Sequence, residues 1–545
     1  MPRKTWIPRT TRPGRPASAA AAVLLTVALA GQPGTASGLA GASAVTAGPA
    51  APAVGTAGQV AGPGTSWSLP NADKAGTRRV GGPISSRTVA RLGVAWRVPL
   101  QARTDLWPGG HAATPVVADG VVYTQDLDSN VYAVELSTGR LLWTRTYDLR
   151  SVGPNGVAVA YGKVFGATST HAFALDARTG AELWSRKLVQ NDFEGIDMAP
   201  GVDHGTVYVS TVPGNAGHFL AGEGQGVLWA LDARTGVPKW SFDTVPKDLW
   251  GRPDLNAGGG LWYPPSFDQD GDVYASVANP GPFIGTAEFP WGSSRPGPNL
   301  YSNSMVKLDA RTGKVVWHNQ VLPHDIYDWD FQNSPVLTRA GRRPVVVGSG
   351  KMGVVYQFDE VTGKLLWKRP VGRHNGHDDD NLHAMRGEYD KLSAFPYTVY
   401  PGVLGGVISP AAADDTKVYV AVNNVGATWE RQEPPPVVSP TESGGELTAI
   451  DLVTGRIAWT HPLDQSPFGG ATVVNDLVFT TTFDGTVHAV RAGTGELAWQ
   501  AGLPAATNSP VAVHGAYLLA VAAWPQSEGQ RPELVAYRLG AGEGR

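Results

Sequence analysis

The densest group of side chains able to do chemistry lies in VGRHNGHDDDNLHAMRGEYD (371–390), where His374, His377, Asp378, Asp379, Asp380 and His383 crowd ten residues. Three of the chain's 12 histidines fall here. Imidazole and carboxylate together suit zinc, manganese or iron, so His374, His377, Asp378, Asp380 and His383 are expected to ligate a transition metal. The competing expectation is a solvated polar loop. A second group, Asp325, Asp328 and Asp330, stands in PHDIYDWD (323–330). Short acidic side chains at such spacing hold turns and accept backbone amides, which is the expectation for all three, with a role in proton transfer as the alternative. Asp268-x-Asp270-x-Asp272 begins like a calcium loop but lacks the later Glu, which leaves a hairpin turn with surface carboxylates. The chain has no cysteine. Disulfide staples, lipid attachment at a thiol and covalent c-type haem are therefore excluded.

Seven copies of one short phrase supply the frame that must carry these residues. They are YAVELSTGRLLW (132–143), FALDARTGAELW (173–184), WALDARTGVPKW (229–240), VKLDARTGKVVW (306–317), YQFDEVTGKLLW (356–367), TAIDLVTGRIAW (448–459) and HAVRAGTGELAW (488–499). Each reads as a hairpin: a strand of alternating apolar residues, a Thr-Gly turn in which Gly takes the positive φ, and a second strand ending in Trp. The flat Trp suits packing between neighbouring sheets. Successive Trp residues are 41, 56, 77, 50, 92 and 40 positions apart. The short spacings fit one four-stranded blade each, and the long ones a blade plus an insertion. YLLAVAAW (517–524) and ELVAYRL (533–539) read as strands of one more blade without its outer strand, while GVAWRVPL (93–100) is an unpaired strand with its own Trp96. Joining the two ends protects both edges. The predicted fold is all-β: an eight-bladed β-propeller of four-stranded antiparallel blades, closed by strand 94–100 on 533–539. The abundance of turn formers, 68 Gly and 43 Pro, agrees with many strands and few helices.

The N-terminal residues have a different composition. MPRKTWIPRTTRPGRP (1–16) is basic, and ASAAAAVLLTVALA (17–30) is apolar but too short to span a bilayer. Residues 1–44 are expected to be an export signal, 45–65 an Ala/Gly/Pro-rich linker and 66–545 the propeller, giving a secreted or extracytoplasmic protein with no membrane span in the mature chain. Loss of residues 1–44 would remove five basic and no acidic side chains, taking the net charge from −3 to −8. Such a surface argues against a nucleic-acid partner.

Five segments, TVARLGVAWRVPL (88–100), ATPVVADGVVYTQDLDSNVYAVE (113–135), GGGLWYPPSFDQDGDVYASVANPGPF (258–283), NLYSNSMVKLDARTGKVVWHNQVLPHDIYDWD (299–330) and GKMGVVYQFD (350–359), resemble the pyrroloquinoline-quinone (PQQ) dehydrogenase propellers, the quinoprotein alcohol dehydrogenases. That resemblance implies oxidation of a small alcohol to an aldehyde by PQQ with calcium or another divalent metal. PQQ is a flat, triply acidic ortho-quinone that needs an aromatic floor, cations for its carboxylates and a Lewis acid at the reacting carbonyl. The resemblance assigns the floor to Trp262, metal ligation to Asn279 and contact with the quinone oxygens to Lys351. Taken singly, the same residues read as a blade Trp, a turn former before Pro280 and a surface lysine.

The chain also departs from that pattern. Pro298 stands where the family's catalytic Asp is expected, and cannot accept a proton. The Asn-Arg-Gly clamp for the quinone carboxylates reads Pro154-Asn155-Gly156; Ala221 falls at the metal-binding Glu, with Glu223 two residues on; and the Trp-Gly-Gly above the quinone reads Phe468-Gly469-Gly470. The functional expectation is therefore a quinoprotein-like propeller with degenerate catalytic positions. The alternatives are a non-catalytic propeller that binds an extracellular protein or polysaccharide, as outer-membrane assembly propellers of similar repeat do, and a metal site on the 374–383 loop.

Overall fold

A computed structural model describes residues 67–104, 109–214 and 222–541; the expected signal 1–44, the linker 45–65 and Ala221 lie outside the described residues. The fold is all-β. Its frame is eight antiparallel sheets, each built on four strands. The first comprises Val116–Ala118, Val121–Gln125, Val131–Glu135 and Leu141–Arg145, paired in that order. The later sheets begin at Ala158–Ala160, Gly201–Asp203, Ser266–Phe267, Val336–Ala340, Ala412–Ala413, Thr472–Val474 and Ala512–His514. In the eighth, the outer strand is Leu92–Pro99, paired with Glu533–Leu539 so that Leu92 faces Leu539 and Pro99 faces Glu533. Apolar clusters join each sheet to the next along the chain, and the largest contains residues of the seventh, eighth, first and second sheets together.

The repeated phrase does more than turn the chain. In five copies an aspartate (Asp176, Asp232, Asp309, Asp359, Asp451) accepts hydrogen bonds from both the amide and the hydroxyl of the Thr three residues on, at 2.7–2.9 Å. That fixes the left-handed Gly that follows. The Trp of the preceding sheet then lies against that Gly: a Cβ built on Gly180, Gly236, Gly313, Gly363, Gly455 or Gly495 would fall within 3.0 Å of the rings of Trp143, Trp184, Trp240, Trp317, Trp367 or Trp459. Gly is thus required by close approach as well as by φ. Most of these indoles also donate Nε1–H to a backbone carbonyl of the sheet they dock on, as Trp240 does to Ala310 at 2.8 Å. Trp96 of the eighth sheet makes the same contact on Gly139 of the first and donates to Leu136 at 2.8 Å. Trp499 meets Tyr537 edge-on at 5.6 Å, because the eighth sheet has no Thr-Gly copy.

One element has no counterpart in the sequence reading. The segment from Trp67 to Val80 runs along the free edges of the first strands. Its carbonyls accept from Val117, Val159, Phe267, Leu337, Ala413 and Val473, one amide in each of six sheets, at 2.6–2.9 Å. Arg79–Val80 ends the strap as a strand parallel to Thr472–Val474. The strap satisfies edge N–H groups that would otherwise be unpaired around the axis. Arg78, fully buried, pins it through Ala471 and Val511 carbonyls, Thr472 and the strap's own Pro70 and Asn71.

Candidate functional site

In an antiparallel four-stranded sheet, the connection after the second strand and the connection to the next sheet leave from the same end. Trp262, Asn155, Asp197 and the 323–330 segment sit on connections between sheets; Asn279 and Lys351 follow the second strands Val273–Ser276 and Arg343–Ser349. The fold therefore gathers them from separate repeats.

Lys351 is the hub. Its buried ammonium lies 2.8 Å from Asp328 and 2.7 Å from Asp330, and 6.0 Å from the centre of the Trp262 ring. Asn279 donates its side-chain amide to Asp328 at 3.1 Å and Asp325 at 3.3 Å, while Asp330 takes the Asn279 backbone amide at 2.8 Å. Asp325 also accepts from the amides of Tyr327 and Trp329 at 3.0 and 2.8 Å. So the expected turn-holding role describes Asp325, whereas Asp330 accepts a backbone amide and also pairs with Lys351, and Asp328, held at a φ of +61°, pairs with Lys351 as well. The resemblance-based trio of Trp262, Asn279 and Lys351 is brought together, and the surface reading of Lys351 is corrected by its burial.

Two carboxylates, Asp328 and Asp330, flank one ammonium, and Asp325 joins the cluster through Asn279. Burial would lower the Lys351 pKa, but Asp328 and Asp330 carry it above the ordinary lysine value, so the lysine stays charged. Burial pushes Asp328 up to about 8 against the pull of Lys351, and Asp325 up to about 6. Burial and the neighbouring Asp330 and Asp325 carboxylates thus make Asp328 hold its proton more tightly than an ordinary aspartate.

The other end of the Trp262 ring is of opposite character to the ammonium. Gly153 is wedged there, with room for no side chain between Asp197 and the ring edge: a Cβ would lie 2.8 Å from Cζ3 of Trp262. Asp197 is 2% exposed. One of its oxygens accepts from Ser151 Oγ at 2.9 Å and the amide of Val152 at 3.0 Å; Oδ2 has no partner. Asn155, whose amide N–H donates to the Asp197 carbonyl at 2.7 Å, gives its side-chain N–H to Asp126 and leaves Oδ1 unpaired. Asn155 also lines an axial cavity with Thr114 and Tyr263, capped by Pro70 and Asn71 of the strap.

These residues answer the PQQ requirements unevenly. The half with Trp262, Lys351 and Asn279 offers a floor, a cation and an amide. Near the Cζ3 edge stand a buried aspartate, whose pKa burial raises, and an unpaired amide oxygen, which offer a quinone carboxylate no cation. Pro298 is exposed, between Gly297, whose carbonyl faces His324 at 3.0 Å, and Asn299, whose amide donates to Pro323 at 2.7 Å. Glu223 is exposed as well, and Phe468 is buried beside Phe483 at 5.4 Å.

The histidine loop is not one ligand set. His374 pairs with Asp378 at 2.6 Å, His377 with Asp380 at 2.7 Å and His383 with Glu388 at 2.7 Å. The helix Asp380–Met385 carries His383 away from the other two, and Tyr327, from outside the loop, donates to Asp380 at 2.5 Å. Among the described residues no three His, Asp or Glu side chains form a group that would hold a metal. The helix instead buttresses the 323–330 segment: Asn381 accepts the Ile326 amide at 2.8 Å. Asp268 and Asp272 close on Lys307 at 3.0 and 3.1 Å, a hairpin turn with an ion pair. Sequence reasoning missed Asp197, Tyr327, Asn381 and Glu388; only Glu388, next to the loop, carried a visible signal.

Comparison with known proteins agrees with this frame. Residues 196–379 match the family described as glucose/ethanol/alcohol dehydrogenase, β-propeller domain, and residues 93–215, 127–257 and 443–543 match that described as outer membrane protein assembly factor BamB. The chain is 30% identical over 493 residues to the quinohemoprotein alcohol dehydrogenase of Comamonas testosteroni, an alignment covering 77% of this chain and 66% of that protein. This chain thus spans about two thirds of that relative's length. The solved quinohemoprotein alcohol dehydrogenase ADHIIG of Pseudomonas putida superposes with a TM-score of 0.74 at 25% identity, over 87% of this chain and 80% of that one. A europium-containing methanol dehydrogenase shares the fold, with a TM-score of 0.73 at 22% identity over 87% of this chain and 98% of that one. No helix among the described residues is long and apolar enough to cross a membrane.

Proposed function

The chain belongs to the PQQ-repeat β-propellers of the quinoprotein alcohol dehydrogenase-like family, and from that premise we propose that it is an extracytoplasmic propeller that keeps the family's axial site as a ligand-binding site but has lost the family's quinone-dependent alcohol oxidation. In this reading the eight sheets are the blades of one ring, closed by Leu92–Pro99 on Glu533–Leu539, and the basic and apolar residues 1–44 direct export. The observation that carries the loss is at the hub: Lys351 is neutralised by Asp328 and Asp330, and the position expected to supply the proton acceptor is Pro298. General-base loss alone costs about 10²–10⁴ in rate. The partner is then a hydroxylated small molecule or an extracellular polymer.

The test is dye-linked oxidation of simple alcohols by the purified chain given PQQ and calcium. Little or no turnover is expected in the unmodified protein. Robust oxidation would overturn the reading and favour a second one, a working dehydrogenase with Asp328 as base. That second reading has its own support: Asp328 lies beside both Lys351 and Asn279, and its raised pKa suits proton exchange near neutrality.

A further inference from the structure

The loss of cation-clamp chemistry is compounded by buried acceptors that have no partner. Among the described residues, the cation over the Trp262 ring is Lys351. Towards the Cζ3 edge a flat ligand meets acceptors. Asp197 Oδ2 and Asn155 Oδ1 are both unpaired, on residues 2% and 5% exposed; Gly153 packs between Asp197 and the ring edge, and the Asn155 amide N–H is bonded to the Asp197 carbonyl at 2.7 Å. An unpaired buried acceptor costs about 1–3 kcal/mol and is relieved by an N–H or O–H donor or a cation. An anion placed against it makes matters worse, because two like charges then share a site of low dielectric.

We propose that the axial site discriminates by charge, excluding triply acidic quinones and admitting uncharged ring ligands that present a hydrogen-bond donor edge to Asp197 and Asn155 and an acceptor edge to Lys351. This rests on the reading of the axial site as a binding site. It goes further in naming the ligand class and the two residues that set it. Ring compounds bearing hydroxyl or amide N–H groups on one side and carbonyl or ether oxygens on the other fill both requirements without burying a new charge. Asp197 and Asn155 are specificity residues here; they hold no reacting atom.

The test uses the full chain and tryptophan fluorescence, with PQQ and its trimethyl ester as probes that share one flat ring system and its pyrrole N–H donor and differ in charge. In the wild type the uncharged ester is expected to quench saturably with a Kd at least tenfold below that of PQQ. In the Asn155→Arg/Asp197→Asn double variant, checked for folding by circular dichroism and Tm, the preference is expected to reverse, with PQQ the tighter of the two. Trp262→Phe should abolish the ester response in the wild-type background. Tighter binding of PQQ than of the ester by the wild type, an unreversed preference in the folded double variant, or an ester response indifferent to Trp262→Phe would each overturn the proposal. Turnover is measured apart from binding, so a wild type that bound PQQ tightly without oxidising alcohol would sink this inference and leave the functional reading standing.

Discussion

The rim and the axis of this molecule are built by different rules. At the rim, Trp96, Trp143, Trp184, Trp240, Trp317, Trp367 and Trp459 each dock on the Gly of the next Thr-Gly turn, so one contact is made seven times. At the axis, Trp262, Asn279, Asp325, Asp328, Asp330 and Lys351 are each used once, and each comes from a connection outside the repeated phrase. The rim holds the sheets together by apolar burial and main-chain hydrogen bonds. The axis concentrates charge that the rim's stability must tolerate. A change at the axis can therefore alter chemistry while the rim keeps the fold: Asn155, Asp197 and Pro298 are not among the docked Trp and Gly residues.

The largest expected effect comes from the one axial group that serves the rim's purpose. Arg78→Ala would leave the carbonyls of Pro70 and Ala471 buried without Arg78 as donor, the Val511 carbonyl keeping Thr472, and release the strap, at a cost of roughly 2–5 kcal/mol. Denaturant unfolding checks this, and a change under 1 kcal/mol would show that the strap is decorative.

Next is the rim itself. Gly313→Val at φ +67° must displace Trp240, whereas Gly341→Val at φ +62° faces open space. The backbone conformation costs about 1–3 kcal/mol in both, and the displaced indole adds about 1–3 kcal/mol in the first alone. Equal losses at the two sites would break the claim that close approach, and not only φ, demands glycine in the repeat.

The smallest effect belongs to the axial charge balance and is read against pH. Asp328 ionises near 8 in the folded chain and near 4 when unfolded, so the folded state binds its proton more tightly. Its stabilising contribution is present at low pH and is lost as pH rises through that window, with Asp325, near 6, acting in the same sense. Thermal melts should therefore show Tm falling from about pH 4 to about pH 8, and Asp328→Asn should flatten that decline. An unchanged slope in the variant would place the titrating group elsewhere.

What could be read beforehand follows the same division. A contact repeated seven times announces itself in a single sequence, so the strands, the Thr-Gly turns and the docking indoles were all visible. The second duty of Gly313 and its equivalents was not, because a ring packed on a Cα leaves no separate pattern. The strap from Trp67 to Val80 was invisible for a related reason: it contributes backbone carbonyls to six distant strands, and carbonyls carry no residue code. Resemblance named Trp262, Asn279 and Lys351, which the fold brings near one another, but the capture of Lys351 by Asp328 and Asp330 depends on a left-handed turn at Asp328 that PHDIYDWD does not advertise. The histidine loop misled by density. Neighbours in sequence were turned apart by a short helix, and each imidazole found a carboxylate of its own. Asp197, isolated in a stretch of small and apolar residues, gave no sign that it would lie under the Trp262 edge.

The most direct measurement of the central claim, that the axis has kept its floor and its ammonium but not its capacity for the quinone, is the cofactor content of the full chain after incubation with PQQ and calcium and removal of free cofactor. The absorbance of bound quinone should be absent from the protein fraction. One PQQ retained per chain would contradict the account and show that the Asp197 end of the site accommodates a carboxylate after all.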